Sequence, residues 1–240
     1  MKILIPMAGE GSRFSKEGYT FPKPLIDVRG KPMIQAVVEN LDFDADYIFL
    51  VRKEHLAKYS GLKQTLSRIT NGRYQIVEVD GLTEGAACTA LLAKEFINND
   101  DDLLIANSDQ VIEYSPENFN ALKTLANVDG IVFTFHAVHP KWSFVKTNSR
   151  GIVTEVAEKN PISDIATCGI YWYRRGSDFV KYAEAMIEKN IRVNNEFYIA
   201  PVYNELIFNN GTLIPFFVHK MHGIGTPEDL NSYLKQTINN

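Results

Sequence analysis

Short apolar runs and amphipathic stretches alternate through the first half of the chain. Short apolar runs predict buried strands, and apolar residues recurring at helical spacing predict helices. The alternation of strand and helix favours a mostly parallel sheet covered by helices on both faces. The predicted elements are strands at Lys2–Pro6, Asp46–Val51, Gln75–Val79 and Leu103–Ala106, and helices at Pro32–Leu41 and Gly85–Ile97.

The second half of the chain is richer in strands. The turn at Asn148–Gly151 predicts a hairpin between two of them. Thr226 is expected to cap the last helix, with Pro227 as its first residue. The predicted elements are strands at Gly130–Val138, Phe144–Thr147, Ile152–Val156, Ala166–Tyr173 and Thr212–Val218, and helices at Ser177–Lys189, Tyr198–Phe208 and after Thr226.

These patterns predict an α/β fold class, a three-layer Rossmann-like mixed sheet, mostly parallel, with helices on both faces. Composition agrees, because 45% of the residues are hydrophobic, which is typical of a globular core. The formal charge of −4 argues against a broad basic face for nucleic acid. No apolar stretch approaches the roughly 20 residues of a membrane span, so we expect a cytoplasmic protein without membrane contact.

The cysteines and histidines give no sign of a metal centre or a disulfide framework. Only two cysteines occur, Cys88 and Cys168, and neither belongs to a metal-ligand spacing. His136 and His139 are three apart, but in strand-rich sequence this spacing points them to opposite faces. We therefore do not expect structural zinc.

A loop with two glycines and two cations follows the first predicted strand. Gly9 and Gly11 permit backbone angles that let main-chain N–H groups approach a ligand closely. Arg13 offers a planar fork of donors to phosphate oxygens, and Lys23, held between two prolines, offers a compact positive charge. An ordinary tight turn would explain the glycines alone. Together with the cations, the pattern predicts a phosphate-binding loop.

Two further segments would meet this loop, because ligands of open parallel sheets bind beyond the carboxyl ends of the strands. Asp109 follows the fourth strand and suits Mg²⁺, which prefers one or two carboxylates together with substrate phosphates. The alternative is an aspartate that caps a helix or a turn. Glu84 and Gly85 precede a helix, where small residues would let a flat base lie against the backbone. A plain helix start capped by Thr83 or Glu84 remains open.

Four segments resemble the sugar-phosphate nucleotidylyltransferase family, the pyrophosphorylases exemplified by glucose-1-phosphate thymidylyltransferase. The resemblance covers nearly the whole chain and implies the fold of nucleotide-diphospho-sugar transferases. It also implies one domain over residues 1–240, with a nucleotide-binding half to about residue 127 and an acceptor-binding half from about residue 128. The segments are AGEGSRF (8–14) with FPKPLIDVRGKPMI (21–34), VAEKNPISDIATCGIYWY (156–173), NNEFYIAPVYNELI (194–207) and GIGTPEDL (223–230).

The resemblance implies a role for each matched residue. Lys159 would clamp the acceptor phosphate, as the second cation that two anionic substrates require; a solvated Glu158–Lys159 charge pair is the alternative. The nucleotide-binding residues would be Ala8, Gly9, Gly11, Ser12, Arg13, Glu84, Gly85 and Asp109. The catalytic residues would be Arg13, Lys23 and Asp109, with Asp109 also the ligand of Mg²⁺, and the acceptor would contact Glu158, Lys159, Gly169 and Glu196.

The implied reaction moves a nucleoside monophosphate from a nucleoside triphosphate to a sugar 1-phosphate or similar phosphorylated acceptor and releases pyrophosphate. It would serve activated-sugar and surface polysaccharide biosynthesis. Uracil, thymine and cytosine all remain open as the base, and purines are less favoured by analogy. Two other functions stay open: a glycosyltransferase on a similar sheet, and a non-catalytic nucleotide-binding module. A homo-oligomer is left open as well.

One departure from the family pattern concerns the metal. Near its end, the family sequence supplies a second metal carboxylate where this chain has Gly223. Either water or Asp229 would complete the Mg²⁺ shell, or metal binding would be weaker. The acceptor pocket is also undefined, because aromatic residues in strands are more often core than lining. The candidates for its lining are Trp142, Phe144, Tyr171 and Tyr173.

Overall fold

The computed structural model describes residues 1–236, and nine of the strands found there form one sheet in the order β10-β9-β11-β6-β1-β4-β5, with β8 beside β11 and β12 beside β8. Two short sheets, β2–β3 and β7–β13, lie outside it. The strands are β1 (Lys2–Pro6), β2 (Asp27–Val28), β3 (Lys31–Pro32), β4 (Asp46–Arg52), β5 (Tyr74–Val79), β6 (Leu103–Ala106), β7 (Gln110–Glu113), β8 (Gly130–His136), β9 (Ser143–Thr147), β10 (Val153–Glu158), β11 (Ile165–Tyr173), β12 (Leu213–Phe217) and β13 (Lys220–Gly223).

The first half of the chain supplies the parallel part of the large sheet. β1 pairs in parallel with β4 and β6, and β4 pairs in parallel with β5. Ile3, Leu4 and Ile5 at the centre of β1 are fully buried, as expected for a strand covered on both faces. The carboxyl ends of β1 and β6 therefore lie side by side, which brings the loops after these two strands to one edge.

The strand β11 joins the two halves of the molecule. β8 pairs antiparallel with one edge of β11, and β6 and β9 pair antiparallel with the other edge. The hairpin predicted at Asn148–Gly151 is confirmed, because β9 and β10 are antiparallel neighbours. The sheet is thus mixed, and both predicted halves contribute strands to it.

Helices cover both faces, which confirms the predicted three-layer architecture. Ile3 and Ile5 pack in one core cluster with α2, α4, α7 and α10, and Leu4 packs in the other with α5, α6, α8 and α9. A 3₁₀ turn spans Lys23–Leu25. The helices are α1 (Ser12–Lys16), α2 (Met33–Leu41), α3 (Lys53–Lys58), α4 (Gly61–Ile69), α5 (Ala86–Leu91), α6 (Lys94–Ile97), α7 (Pro116–Lys123), α8 (Gly176–Glu188), α9 (Val202–Phe208) and α10 (Pro227–Gln236).

Two predicted helices were wrong in extent. The segment Gly85–Ile97 forms α5 and α6 rather than one helix, because the N–H groups of Leu92 and Ala93 bond three residues back and tighten the chain into a 3₁₀-like turn. The helix predicted to begin at Tyr198 begins only at Val202. Pro201 explains this delay, because proline lacks an N–H and disfavours helical angles in the residue before it.

The end of the chain folds back onto the loop after β6. The small β7–β13 sheet, which the sequence pattern did not predict, pairs Gly223 with Gln110. The predicted cap of the last helix is confirmed, since the Asp229 N–H donates to Thr226 Oγ1 over 3.1 Å. Among residues 1–236, no helix combines the length and apolarity needed to cross a bilayer.

Candidate active site

The loop after β1 is folded tightly against the segment that carries Lys23. Gly11 has a left-handed backbone with φ 63°, and a Cβ added to it would lie 3.2 Å from Lys23 Cβ. The Phe14 N–H donates to the Gly11 carbonyl over 3.0 Å and starts α1, whose first turn carries Ser12 and Arg13. A larger residue at position 11 would strain the backbone and push Lys23 away, so the glycine holds the two cations near each other.

This loop forms one wall of an open cavity of about 370 Å³ at the carboxyl ends of β1 and β6. Its lining is largely polar and contains both cations and one carboxylate. Most of the residues expected to hold a triphosphate are therefore brought together. The lining residues include Gly9, Gly11, Ser12, Arg13, Lys23, Asn107, Ser108, Asp109 and Gly225. We call this space the phosphate cavity.

Asp109 and Lys23 contact each other at the wall of the phosphate cavity. The Lys23 ammonium donates to Asp109 Oδ2, and the side chains are 22% and 19% exposed. The Asp109 carbonyl accepts the Ile224 N–H over 2.9 Å, and a Cβ on Gly225 would collide with Asp109 Oδ2. Within residues 1–236 the Asp109 carboxylate thus faces a cation rather than capping a turn.

Three of the four residues expected to contact the acceptor, Glu158, Lys159 and Gly169, line a second cavity of about 280 Å³. Lys159 has φ 54°, which is uncommon for a side-chain-bearing residue and points to a held functional position. Its N–H donates to the Trp142 carbonyl over 3.0 Å. Its ammonium contacts the Tyr198 hydroxyl and lies 4.4 Å from the centre of the Tyr198 ring. The lining includes Asn107, Gln110, Lys141, Trp142, Ser143, Glu158, Lys159, Thr167, Gly169, Tyr171 and Tyr198. We call this space the acceptor cavity.

Glu158 is largely buried in the wall of the acceptor cavity. The Ser143 hydroxyl donates to its carboxyl group. Burial raises the pKa of Glu158 above its usual value, and the negative charge of Glu196 acts in the same direction. The contact with Ser143 and the charge of Lys159 oppose this shift. The arrangement differs from the solvated charge pair that was the alternative for Glu158 and Lys159.

Gly169 stands where the two cavities meet. It has φ 73° and lies at an irregularity in the pairing of β11 with β8. A Cβ there would collide with the side-chain amides of Asn107 and Gln110, and the Asn107 N–H donates to the Gly169 carbonyl over 2.9 Å. Asn107 lines both cavities. The three cations Arg13, Lys23 and Lys159 therefore lie in adjoining spaces with a shared wall.

Four predicted site residues lie outside both linings: Ala8, Glu84, Gly85 and Glu196. Ala8 is buried beneath the phosphate cavity, and Glu196 is exposed in a short turn closed by its own N–H, which donates to the Val193 carbonyl over 2.9 Å. Glu84 is ion-paired with Arg192, with Oε2 and Nη2 2.5 Å apart, and its side chain is 66% exposed. Base recognition by Glu84 therefore stays a prediction.

Gly85 lies against the backbone of Phe197 rather than in either cavity lining. A Cβ on Gly85, whose φ is 134°, would collide with that backbone. The Phe197 N–H donates to the Glu84 carbonyl over 2.8 Å, and the Phe197 carbonyl accepts the Ala87 N–H over 2.9 Å. No side chain caps α5 in the way proposed for Thr83 or Glu84, since the N-cap position is Gly85 itself.

The aromatic candidates divide evenly. Trp142 and Tyr171 line the acceptor cavity, whereas Phe144 and Tyr173 are fully buried in the core. Sequence reasoning missed Gln110, whose Oε1 is buried and has no hydrogen-bond partner within residues 1–236. Its place next to Asp109 was the only available signal. Ser143 and Tyr198 were missed as lining residues because they come from two separate segments.

The residues present suit a magnesium ion that is held in part by its substrate. Asp109 supplies one carboxylate, and Mg²⁺ readily completes its shell with water and substrate phosphates. Asp229 is engaged elsewhere, since its oxygens lie 3.1 and 3.4 Å from Lys141 Nζ. No cluster of three or more acidic, histidine or cysteine residues fit for a metal occurs within residues 1–236. A site built by protein groups alone is therefore not present there.

The comparison with protein families decides the classification. The profile of the nucleotidyl transferase family matches residues 2–221, which is most of the sequence. The chain belongs to this family. The matched span contains the glycine loop and every residue that lines the two cavities except Gly225, and the closing segment at 223–230 lies beyond it.

Relatives agree with this classification at low sequence identity. A crystal structure of a nucleoside-diphosphate-sugar pyrophosphorylase from Vibrio cholerae RC9 is 27% identical, covers 98% of this chain and 100% of its own, and superposes with a TM-score of 0.84. A UDP-glucose pyrophosphorylase solved with UDP-glucose has a TM-score of 0.75 over 98% of each chain; at 18% identity it shows the shared fold alone.

The curated relatives are longer proteins. The bifunctional protein GlmU of Methanocaldococcus jannaschii is 25% identical over 248 aligned residues, covering 100% of this chain and 55% of the relative. The chain thus spans about half the length of that relative. The comparisons therefore support the family and the fold.

Proposed function

We propose that this protein transfers a nucleoside monophosphate from a nucleoside triphosphate to a phosphorylated sugar and releases pyrophosphate. The observation that carries this proposal is the pair of adjoining cavities that share Asn107. One contains Arg13 and Lys23, and the other contains Lys159. Two anionic substrates placed in them would meet end to end with their charges neutralised.

The transfer needs no protein nucleophile, because a phosphate is already anionic near neutral pH. An oxygen of the acceptor phosphate attacks the α-phosphorus and forms the new P–O bond. The bond from the α-phosphorus to the bridging oxygen breaks, and pyrophosphate leaves with the electron pair. The contribution of the protein is positioning and charge stabilisation, as in phosphoryl transfer generally.

Lys23 has a specific part in this proposal. In the absence of substrate its ammonium contacts Asp109. We expect it to exchange that partner for the α-phosphoryl group as negative charge builds there. Arg13 would hold the β- and γ-phosphates, and the backbone N–H groups around Gly11 would contact them closely.

Magnesium is part of the proposal, with Asp109 as its protein ligand. When bound, the ion would neutralise phosphate charge and orient the triphosphate. The single carboxylate in the phosphate cavity supports an ion shared between protein and substrate.

A pyrimidine base is the preferred substrate in this proposal. Glu84 could accept from the N3–H of uracil or thymine or from the amino group of cytosine. For this, the carboxylate would have to leave Arg192, which is a small cost because the pair is partly exposed. We further propose that the reaction takes place in the cytoplasm and that the product feeds surface polysaccharide synthesis.

The other two functions are less well supported. Glycosyltransferases with this kind of sheet usually hold a metal with paired aspartates. In the segment 107–110, Asp109 is the single carboxylate. A glycosyltransferase function would also leave the loop that carries Arg13 and Lys23 without a role. A non-catalytic module would not need the second cavity with its own lysine. Neither is favoured by a specific observation.

The test is a matrix of four ribonucleoside triphosphates and thymidine triphosphate against a panel of sugar 1-phosphates, with Mg²⁺ present and pyrophosphate measured. Release of pyrophosphate that depends on both substrates would support the proposal. Release of nucleoside diphosphate from nucleotide sugars would favour the glycosyltransferase. Nucleotide binding by calorimetry without turnover across the matrix would favour the non-catalytic module.

A further inference from the structure

The acceptor cavity contains a second lysine that the transfer reaction does not require. Lys159 already provides the cation for the acceptor phosphate. Lys141 lies in the same lining, next to Trp142. Its Nζ is 4.6 Å from the centre of the Trp142 ring, which also lines the cavity. A neutral sugar ring with one phosphate leaves this charge without a substrate partner.

Lys141 is held by a contact that a ligand can displace. Its Nζ lies 3.1 and 3.4 Å from the two carboxylate oxygens of Asp229, and the side chains are 43% and 30% exposed. Exposed ion pairs of this kind contribute little to stability, because both groups keep much of their hydration. The ammonium can therefore turn from Asp229 to an incoming anion at low cost.

Gly223 keeps the neighbourhood of Lys141 free of a further carboxylate. A Cβ at this position would meet only ordinary contacts, 3.5 Å to Trp142 Cη2 and 3.8 Å to Asp229 Oδ2. A side chain would fit, but an acidic one would lie beside Asp229 and add negative charge next to the lysine. With glycine there, position 223 adds no negative charge beside the Lys141–Asp229 pair.

We propose that the preferred acceptor carries a second anionic group besides the phosphate that is nucleotidylated, and that Lys141 binds this group. The proposal rests on the transfer function proposed above and specifies its acceptor class. The acceptor is then a sugar phosphate with an additional carboxylate or phosphate. Asp229 occupies Lys141 until such an acceptor enters.

The experiment compares three acceptors that share one ring: glucose 1-phosphate, glucuronic acid 1-phosphate and glucose 1,6-bisphosphate. With the triphosphate that supports turnover, kcat/KM of the wild-type protein for at least one doubly anionic acceptor should exceed that for glucose 1-phosphate by tenfold or more. The arm that shows the preference identifies the second group as carboxylate or phosphate. Equal values, or preference for glucose 1-phosphate, would overturn the proposal.

Two variants shift the preference in opposite directions. Lys141→Met should reduce the ratio of kcat/KM values to near one, while Asp229→Asn should raise it, because the internal competitor is removed. Lys146→Met, at an exposed position of β9 outside the cavity lining, should leave the ratio unchanged. A ratio unaffected by Lys141→Met in a protein that is folded by circular dichroism would contradict the assignment.

A binding measurement separates this inference from the transfer function. The dissociation constants of the three phosphates are measured by calorimetry without nucleotide, for the wild type and for Lys141→Met. Tighter binding of a doubly anionic phosphate that is lost in Lys141→Met would uphold the inference even if no pyrophosphate were released. Equal binding of all three, or no binding of any, would refute it.

Discussion

The phosphate cavity and the acceptor cavity are built in different ways. Most of the phosphate cavity comes from the loop between β1 and β2 with the few residues after β6, and these loops adjoin because β1 and β6 are parallel neighbours. The acceptor cavity collects residues from several segments between Ala86 and Ala200, arranged around the irregularity in β11. The first depends on local backbone shape, and the second depends on long-range packing.

This difference teaches which changes each cavity tolerates. In the phosphate cavity the side chains can be altered one at a time, because the glycines and prolines hold the backbone. In the acceptor cavity the backbone itself is the critical part, since Gly169 lets two side-chain amides lie against the sheet. Substitutions should therefore affect chemistry in the first region and geometry in the second.

The largest expected effect is the loss of Lys23. Lys23→Ala should lower kcat by about 10²–10³-fold, because a preorganised charge at the reacting phosphate would be missing. KM for the triphosphate should change much less, since Arg13 and the loop backbone remain. Steady-state pyrophosphate release measures both constants. Lys16→Ala, at an exposed position at the end of α1, is the matched control and should behave like wild type. Full activity of Lys23→Ala would remove this lysine from the mechanism.

The acceptor cavity should be disrupted by a single methyl group. Gly169→Ala places a Cβ against Asn107 and Gln110 and strains a backbone with φ 73°, so we expect the unfolding free energy to fall by about 1–3 kcal/mol. KM for the acceptor should rise while KM for the triphosphate changes little. Denaturant unfolding and substrate titrations measure these effects.

Gly61→Ala is the control for that substitution, because a Cβ at Gly61 would meet nothing within 4 Å. It should leave both stability and KM values close to those of the wild type. If Gly169→Ala raised KM for both substrates equally, the phosphate cavity and the acceptor cavity would not respond independently to substitutions.

Glu158 should give the acceptor side a pH dependence of stability. Burial raises the pKa of Glu158 above its ordinary value of 4.5, so the folded protein holds this proton more tightly than the unfolded chain. The stability linked to that proton is present below pH 4.5 and is lost as pH rises through the folded pKa. Glu158→Gln lacks this loss, so its unfolding free energy relative to wild type should increase with pH across that window.

The measurement is denaturant unfolding of both proteins at a series of pH values from below 4.5 upward. Glu155→Gln, at an exposed position of the same strand, should follow the wild-type curve. A difference between Glu158→Gln and wild type that did not vary with pH would mean that burial does not shift this carboxyl group.

The smallest expected effect concerns the ion pair between Arg192 and Glu84. Arg192→Met removes the contact with Glu84 and the stacking of the guanidinium 4.0 Å from the centre of the Phe197 ring. Because Glu84 is mostly exposed, the unfolding free energy should fall by about 1 kcal/mol or less. Arg175→Met, which breaks an exposed pair with Asp178, should do the same. A loss of several kcal/mol for Arg192→Met alone would show that the contacts of Arg192 hold the segment before α5 and the segment before α9 together.

The sequence was sufficient to predict what depends on local pattern. β1, the glycine loop, Lys23 and the position of Asp109 follow from apolar runs, special backbone residues and the rule for parallel strands. The break between α5 and α6 and the late start of α9 were missed. The first is a turn with 3₁₀-type hydrogen bonds at Leu92 and Ala93, which the helical pattern of the sequence does not signal. The second follows from Pro201, whose effect was visible in the sequence.

The acceptor cavity was predictable only through the family resemblance. Glu158, Lys159 and Gly169 line it as the resemblance implied. Ser143 carries no local signal that it would face the same space, and the signal for Gln110 was only its place next to Asp109. Glu84 was expected at the base and is paired with Arg192, more than a hundred residues away in the sequence. Contacts between residues so far apart in the sequence depend on how the strands pair around β11. The periodicity of apolar residues does not reveal that pairing.

The wall shared at Asn107 has a consequence for product release. A molecule that joins a nucleoside to a sugar through two phosphates would extend across this residue and keep its contacts on either side at once. Such a product should dissociate more slowly than each substrate and should inhibit competitively against both of them. Its departure, rather than bond formation, would then set the turnover rate.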